Sequence, residues 1–347
     1  MAFATNEVEC MSKRPTPDRI LEISIGYWAS KVLMSAVEIG VFTELVRRPD
    51  QLEAVRSRLG LHPRAARDFL DALVAMGLLE RRNGIYSNTP EAEAFLDKRK
   101  SSYLGGILEM ANRRQYGHWA HLTEALRTGQ PQGEVHDGTQ SLYAAIYADP
   151  ARMKTFLGAM FGHSYAAALA LAENFPWEEY QSLTDVGCGQ GYVAARILQA
   201  YKHLAGTGFD LPEVEPIFDE YVEERGLGNR LHFQPGNFFK DAMPKADVIL
   251  LGRVLLNWDL ETKRILLAKA YVALPMGGSC IVYDEMIDDE RKANLRGLLM
   301  SLNMVVETAD GFGYTCAECQ GWMLDAGFRE TRVEPLAGGD VMVVGVR

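Results

Sequence analysis

The sequence predicts an α/β fold in two parts: an α-helical half with a small winged hairpin, then a doubly wound, mostly parallel sheet of seven strands. Three observations lead there. From Pro17 to about Leu126 apolar residues recur at helical spacing, as in Ile20, Ile23, Tyr27, Trp28, Val32 and Leu33. After Pro176 the pattern changes to short β-branched runs between helical segments: LTDV, GTGFD, LHFQ, DVILL, SCIVYDE, RETRVEP and DVMVVGV. Strands alternating with helices imply parallel pairing with helices on both faces. Between the halves, Thr128 to Gly138 is rich in Gly, Pro and Gln and marks a break.

Residues 1–16 read as a flexible polar start without the basic, apolar, small-residue order of a secretory signal. Residues 17–127 form the helical half. Within it, HPRAARDFLDALVAMGLL from His62 to Leu79 reads as a helix opened by Pro63 and stopped at Met76-Gly77. Leu78 to Arg81 and Ile85 to Ser87 follow as a hairpin hinged at Asn83-Gly84, completing a winged-helix pattern. Arg64, Arg67, Arg81 and Arg82 make DNA binding one reading of that pattern. The other is dimerisation, because Trp28, Leu33, Val37, Ile39, Val41 and Phe42 are more apolar surface than a small domain needs. Residues 128–175 read as a linker with connecting helices over Ser141 to Asn174, and 176–347 as the sheet domain.

Composition narrows the function. The chain has 347 residues, enough for about two domains. Its 36 Lys plus Arg against 46 Asp plus Glu give a net charge of −10, which disfavours nucleic acid or an anionic membrane as partner and favours a small molecule. Five scattered cysteines suggest a reducing, cytoplasmic setting. No uninterrupted apolar run reaches the roughly 18 residues that span a bilayer.

The strongest chemical signal is LTDVGCGQGY, Leu183 to Tyr192, where a strand ends in Asp185 and Gly187, Gly189 and Gly191 open a helix. Alternate glycines let a ligand approach backbone N–H groups near a helix start, so a nucleotide-like ligand is expected. The dinucleotide pattern needs its third glycine at position 192, which is Tyr192, and this disfavours NAD. Asp210 in GFDLP ends the next strand, where a carboxylate can accept from ribose hydroxyls. Asn237 and Asp241 follow the third strand, within reach of an adenine amine.

The succession D-x-G-x-G-x-G, FDLP, GNFF and a segment ending in NW, after a winged helical half, resembles the S-adenosylmethionine-dependent small-molecule O-methyltransferases, a family of plant caffeate-type and bacterial antibiotic-tailoring enzymes. The resemblance runs from about Pro17 to Arg347. It implies a Rossmann-like class I methyltransferase domain, a homodimer formed through the N-terminal half, and methyl transfer from S-adenosyl-L-methionine to a small, usually aromatic acceptor. Carried over by position, it puts Gly187, Gly189 and Gly191 along the methionine moiety and Asp210 on the ribose, with Asp185 and Leu211 also at the cofactor. Asn237 and Phe238 fall at the adenine, and Arg253 also joins the cofactor site.

The catalytic position departs from the family. Where H-D-W commonly stands, with His as general base, this chain reads Leu256-Asn257-Trp258. A phenol has a free pKa near 10, and a positioned base contributes roughly 10²- to 10⁴-fold. A second family carboxylate is replaced by Gly313. Three readings stay open: an acceptor that is already a good nucleophile, so that alignment suffices; a carbon or nitrogen target; or a relocated base among His163, His118, His121 and Asp284. Asp284, His163 and Asn257 are the catalytic candidates. His118, Met153, Met160, Leu256, Trp258, Met300, Asn303, Met304 and Glu307 are the acceptor-pocket candidates, though their helical spacing equally suits ordinary core. Phe156 and Phe161 share that helix. No metal is expected, His118 and His121 lacking a matching carboxylate, and Cys316 with Cys319 reads as two helix-face thiols. A ligand-responsive DNA-binding protein and a nicotinamide oxidoreductase remain the alternatives from other classes.

Overall fold

The structure, a computed structural model, describes residues 15–133 and 142–347. The expected flexible start lies outside these except for residues 15 and 16, as does the 134–141 part of the linker. The chain divides into two compact units, Met1–Asp97 and Lys98–Arg347.

The first unit runs α1 (Asp18–Ser24), α2 (Gly26–Ile39), α3 (Val41–Arg47), β1 (Asp50–Gln51), α4 (Leu52–Arg58), α5 (Pro63–Ala75), β2 (Leu79–Arg82), β3 (Ile85–Asn88) and α6 (Pro90–Leu96). α5 starts where its sequence signals do: His62 Nδ1 accepts the Arg64 amide at 3.2 Å and Pro63 fills the first turn. The hairpin turn places Asn83 at φ 51° and Gly84 at φ 79°, the left-handed pair that a tight hairpin demands. β1 adds a third strand beside β3, too short to signal itself in the sequence. Arg81 pairs with Asp71 and Arg82 with Glu80, so two of the four arginines weighed for DNA are engaged by carboxylates. Of the residues expected as surplus surface, Val37, Val41 and Phe42 are core instead, while Trp28 and Ile39 are exposed; Ile20, Leu21, Ile23 and Tyr27 are exposed beside Trp28, each more than half.

The second unit continues with α7 (Gly105–Met110), α8 (Tyr116–Trp119), α9 (Leu122–Thr128), α10 (Leu142–Tyr147), α11 (Pro150–Asn174), β4 (Ser182–Val186), α12 (Tyr192–Ala200), β5 (Ala205–Asp210), α13 (Glu215–Glu223), β6 (Leu231–Pro235), β7 (Val248–Gly252), α14 (Leu260–Ala273), β8 (Ser279–Asp284), α15 (Leu295–Glu307), α16 (Cys316–Asp325), β9 (Glu330–Pro335) and β10 (Val341–Val346). Residues 98–127, grouped with the helical half by periodicity, thus fall in the second unit. Packing explains it: α7 lies against α11, where a Cβ on Gly106 would come within 3.1 Å of the Gly158 carbonyl oxygen.

The sheet order is β6-β5-β4-β7-β8-β10-β9. β6 to β8 are mutually parallel, while β10 runs antiparallel to both β8 and β9. Val248, Ile249, Leu250 and Leu251 of β7 and Cys280, Ile281 and Val282 of β8 are fully buried, as strands covered on both faces must be. The winding reverses between β4 and β7, so the loops leaving their carboxyl ends diverge and open a crevice, the position where ligands bind in such sheets. Two helical stretches, 18–39 and 150–174, are long and apolar enough by composition to cross a membrane. The count of uninterrupted apolar residues overlooked them because isolated polar residues barely lower the average. α11 spends that character inside the unit, burying Leu157, Ala167, Ala168 and Leu171.

Candidate active site

A cavity of about 570 Å³ fills the crevice. Its floor is the loop after β4. Gly187, Gly189 and Gly191 all have positive φ, at 70°, 52° and 80°. At Gly191 a Cβ would also sit 2.5 Å from Phe218 Cε2, so the turn into α12 has both the wrong backbone and no space for a side chain. Asp210, at the end of β5, ties this loop down: Oδ2 accepts the Gly189 amide and Oδ1 the Leu211 amide, both at 2.8 Å. Burial pushes the Asp210 pKa up to about 6 despite those two bonds.

Asp185 faces the same space. It is buried, its Oδ2 has no hydrogen-bond partner among the described residues, and burial followed by the charge of Asp210 pushes its pKa up to about 7. A buried, unpartnered carboxylate oxygen on a cavity wall calls for a donor or a cation. Together with a glycine cradle and a second carboxylate about twenty residues on, these groups fit a cationic nucleoside ligand.

Asn237 and Phe238 line the cavity as expected. The Asn237 oxygen, expected to meet an adenine amine, already accepts the Phe239 amide at 2.9 Å. Asp241 is also engaged locally, accepting from the Asn237 amide. Arg253 lines the cavity at φ 54°. Its guanidinium is spoken for on the far side, donating to both oxygens of Asp340 at 2.7 and 2.8 Å and to the His163 carbonyl at 2.9 Å.

At the other end Met160, Asn257 and Trp258 line the wall with Phe156 and Phe161. Asn257 Nδ2 donates to the carbonyls of Arg253 and Val254, at 2.8 and 3.2 Å. Both amide hydrogens are thereby consumed within the loop, which leaves Oδ1 as the polar atom offered. Tyr143, Tyr147 and Phe239 complete the aromatic lining and were not singled out from the sequence. The i, i+4 spacing of the two tyrosines in SLYAAIY was the available signal.

The remaining candidates lie elsewhere. Leu256 is 6% exposed and packs in the core with Val254, Met286 and Met304, so it belongs to the sheet's flank and not to the cavity wall. Met304 shares that core, and Met300 packs against it. Met153 is buried with Leu157 and Val214. His118, Asn303 and Glu307 form a separate bridge between α8 and α15: Glu307 takes His118 Nδ1 at 2.8 Å and Arg114 at 3.1 Å, while Trp119 donates to Asn303. Neither catalytic carboxylate nor histidine reaches the cavity. Asp284 is buried behind it, accepting the Tyr314 hydroxyl at 2.8 Å with its pKa pushed up to about 7 by burial. His163 is partly buried on α11, and desolvation with the nearby Arg253 charge pushes its pKa down to about 4, too weak to deprotonate a phenol. His121 is exposed at the start of α9.

Residues 119–329 match the model of the O-methyltransferase domain and 21–98 that of the O-methyltransferase dimerisation domain. The chain is 42% identical over 336 residues to the tetracenomycin polyketide synthesis 8-O-methyl transferase TcmO of Streptomyces glaucescens, covering 95% of this chain and 96% of that one. It is 36% identical over 330 residues to the N,N-dimethyltransferase OxyT of Streptomyces rimosus, covering 94% and 96%. Among solved structures it is similar to human N-acetylserotonin methyltransferase in complex with SAM, with a TM-score of 0.88 at 28% identity over 97% of this chain and 99% of that one. It also resembles PigF with SAH, at a TM-score of 0.84 and 25% identity over 96% and 100%.

Proposed function

Since the chain belongs to the S-adenosylmethionine-dependent O-methyltransferases of the antibiotic-tailoring type, we propose that it methylates a hydroxyl of a flat aromatic small molecule by holding it in line, without a protein base. The observation that carries this is the single cavity joining the glycine loop and two raised carboxylates at one end to a wall of Trp258, Phe156, Phe239 and Tyr143 with the Asn257 oxygen at the other.

Bound S-adenosylmethionine supplies an electrophilic methyl group on a cationic sulfur. Gly187, Gly189 and Gly191 would let that ligand lie against the backbone, Asp185 would accept from its ammonium and Asp210 from its ribose hydroxyls. The aromatic wall would orient a planar acceptor and keep water out, and orientation of this kind is worth about 7 to 11 kcal/mol in effective molarity. Asn257 Oδ1 would accept a hydrogen bond from the acceptor hydroxyl, which aims the oxygen without taking its proton. An acceptor phenol acidified by a conjugated carbonyl loses that proton to bulk water near neutral pH, before its oxygen is enclosed. A homodimer through residues 21–98 would cover the exposed Ile20, Ile23, Tyr27 and Trp28. A nitrogen acceptor is the second reading, favoured by the named activity of OxyT and by the fact that a free amine needs no base.

The test is the pH dependence of methyl transfer across phenols of graded acidity, with product followed by mass. If alignment carries the reaction, the midpoint of kcat/KM moves with the pKa of each phenol. A midpoint that stays put whichever phenol is used reveals an enzymic base and overturns the proposal.

A further inference from the structure

Lys263 is fully buried on α14, one turn past the Asp259 that caps the helix. Its ammonium donates to two backbone carbonyls, Trp258 at 2.5 Å and Phe312 at 3.2 Å, and sits 3.3 Å from the centroid of the Phe312 ring. The carboxylates whose fields reach it are Asp284, Asp259 and Glu318, yet no ion pair with any of them is formed among the described residues. A buried ammonium satisfied by carbonyls and a ring face costs solvation that a methionine there would not. What it joins are two segments at the carboxyl end of the sheet: the 255–258 turn after β7, and the 308–314 stretch between α15 and α16. They touch again where a Cβ on Gly311 would fall 2.9 Å from the Asn257 carbonyl oxygen.

We propose that Lys263 is a positioning residue for the acceptor: by gripping Trp258 and Phe312 through their carbonyls, it sets the plane of the Trp258 ring and the aim of the Asn257 carboxamide beside it. Trp258 is the hub of the aromatic wall, 4.7 Å edge-on from Phe239, 6.0 Å from Phe238 and 5.8 Å from Tyr143, ring centre to ring centre. A loosened 255–258 turn therefore disturbs three wall contacts at once, while the glycine loop and Asp210 stand on other strands. The inference rests on the aromatic-acceptor reading above, and the experiment separates the two.

Lys263→Met is compared with the wild type in the full chain by acceptor and cofactor kinetics, S-adenosylhomocysteine binding, and fluorine NMR of 5-fluorotryptophan-labelled protein in which Trp258→Phe assigns the Trp258 resonance. Expected are an acceptor KM raised about tenfold with kcat changed less, homocysteine-adduct affinity within about twofold, an unchanged or raised Tm, and a Trp258 resonance that alone shifts or broadens. Lys263→Gln, which keeps amide donors without the charge, should fall between. An unmoved Trp258 resonance, or an acceptor KM within about twofold of wild type, overturns the proposal. Loss of fold in both variants also overturns it, assigning Lys263 to the core. Absence of wild-type product on the whole aromatic panel indicts the acceptor reading instead, and the Trp258 resonance still decides for Lys263.

Discussion

Asp210 accepts the Gly189 amide hydrogen at 2.8 Å, so the carboxylate ending β5 holds the loop that leaves β4. One side chain thus braces the cradle from behind and presents its remaining lone pairs to the cavity. Asp210→Ala removes both functions. The expected result is S-adenosylhomocysteine binding about 100-fold weaker, about 2.7 kcal/mol, measured by calorimetry on protein whose circular dichroism is unchanged. Binding within about threefold of wild type would place the ligand elsewhere.

Acid weakens cofactor binding. Asp185 and Asp210, held at about 7 and about 6 by burial, must be ionised to accept from an ammonium and from ribose hydroxyls respectively. Their protonated fraction grows as pH falls through that window, so affinity should be roughly 30-fold lower at pH 5.5 than at pH 8 if Asp185 alone must be ionised, and roughly 100-fold lower if both must. The ligand-free protein behaves oppositely. With Asp284 also raised, to about 7, the folded state keeps protons that the unfolded chain gives up near pH 4. These groups therefore favour folding below pH 4 and lose that contribution as pH rises to about 7. Thermal melts with and without ligand should diverge as pH rises.

Leu256 and His163 should report on stability, not on proton transfer. Leu256→Ala opens a hole beside Met286 and Met304 and should cost about 2 to 5 kcal/mol in denaturant unfolding. His163→Gln should leave kcat within about threefold and its pH profile unmoved, because a histidine held near 4 is neutral throughout the working range. A pH profile that loses a limb in His163→Gln would make it the base.

Trp28 is 56% exposed beside Tyr27, Ile23 and Ile20. A charge there is incompatible with a buried subunit contact, so Trp28→Asp should convert a dimer to a monomer by light scattering without lowering the helical signal. A wild-type monomer at micromolar concentration would remove the premise.

The sheet was legible in the sequence because each strand is a short apolar run stopped by glycine or an acidic residue, and its winding follows from alternation with helices. The cofactor end was legible for the same reason: Gly187, Gly189, Gly191 and Asp210 are needed at backbone level, and backbone needs leave residue types behind. The acceptor end was not. Met153, Met304 and Leu256 share their helical or turn spacing with core residues, and only packing decides that Met160 faces the cavity while Met153 faces Val214. Asn237 lines the cavity, but its oxygen accepts the Phe239 amide, a local hydrogen bond that no periodicity reports. Lys263 gave no signal, since a lysine in an amphipathic helix reads as solvated until the two carbonyls it meets come from distant segments.

β10 follows β9 in the chain yet lies between it and β8. β9 therefore has no partner in the sheet except β10, so its place in the sheet depends wholly on β10. Asp340 stands just ahead of β10 and gives Arg253 on the cavity wall its two shortest carboxylate contacts. Before β10 docks, Glu285, just past β8, is the carboxylate left to Arg253, at 3.4 Å. Completing the sheet thus changes the arginine's partners as well as its neighbours, adding the two short bonds to Asp340.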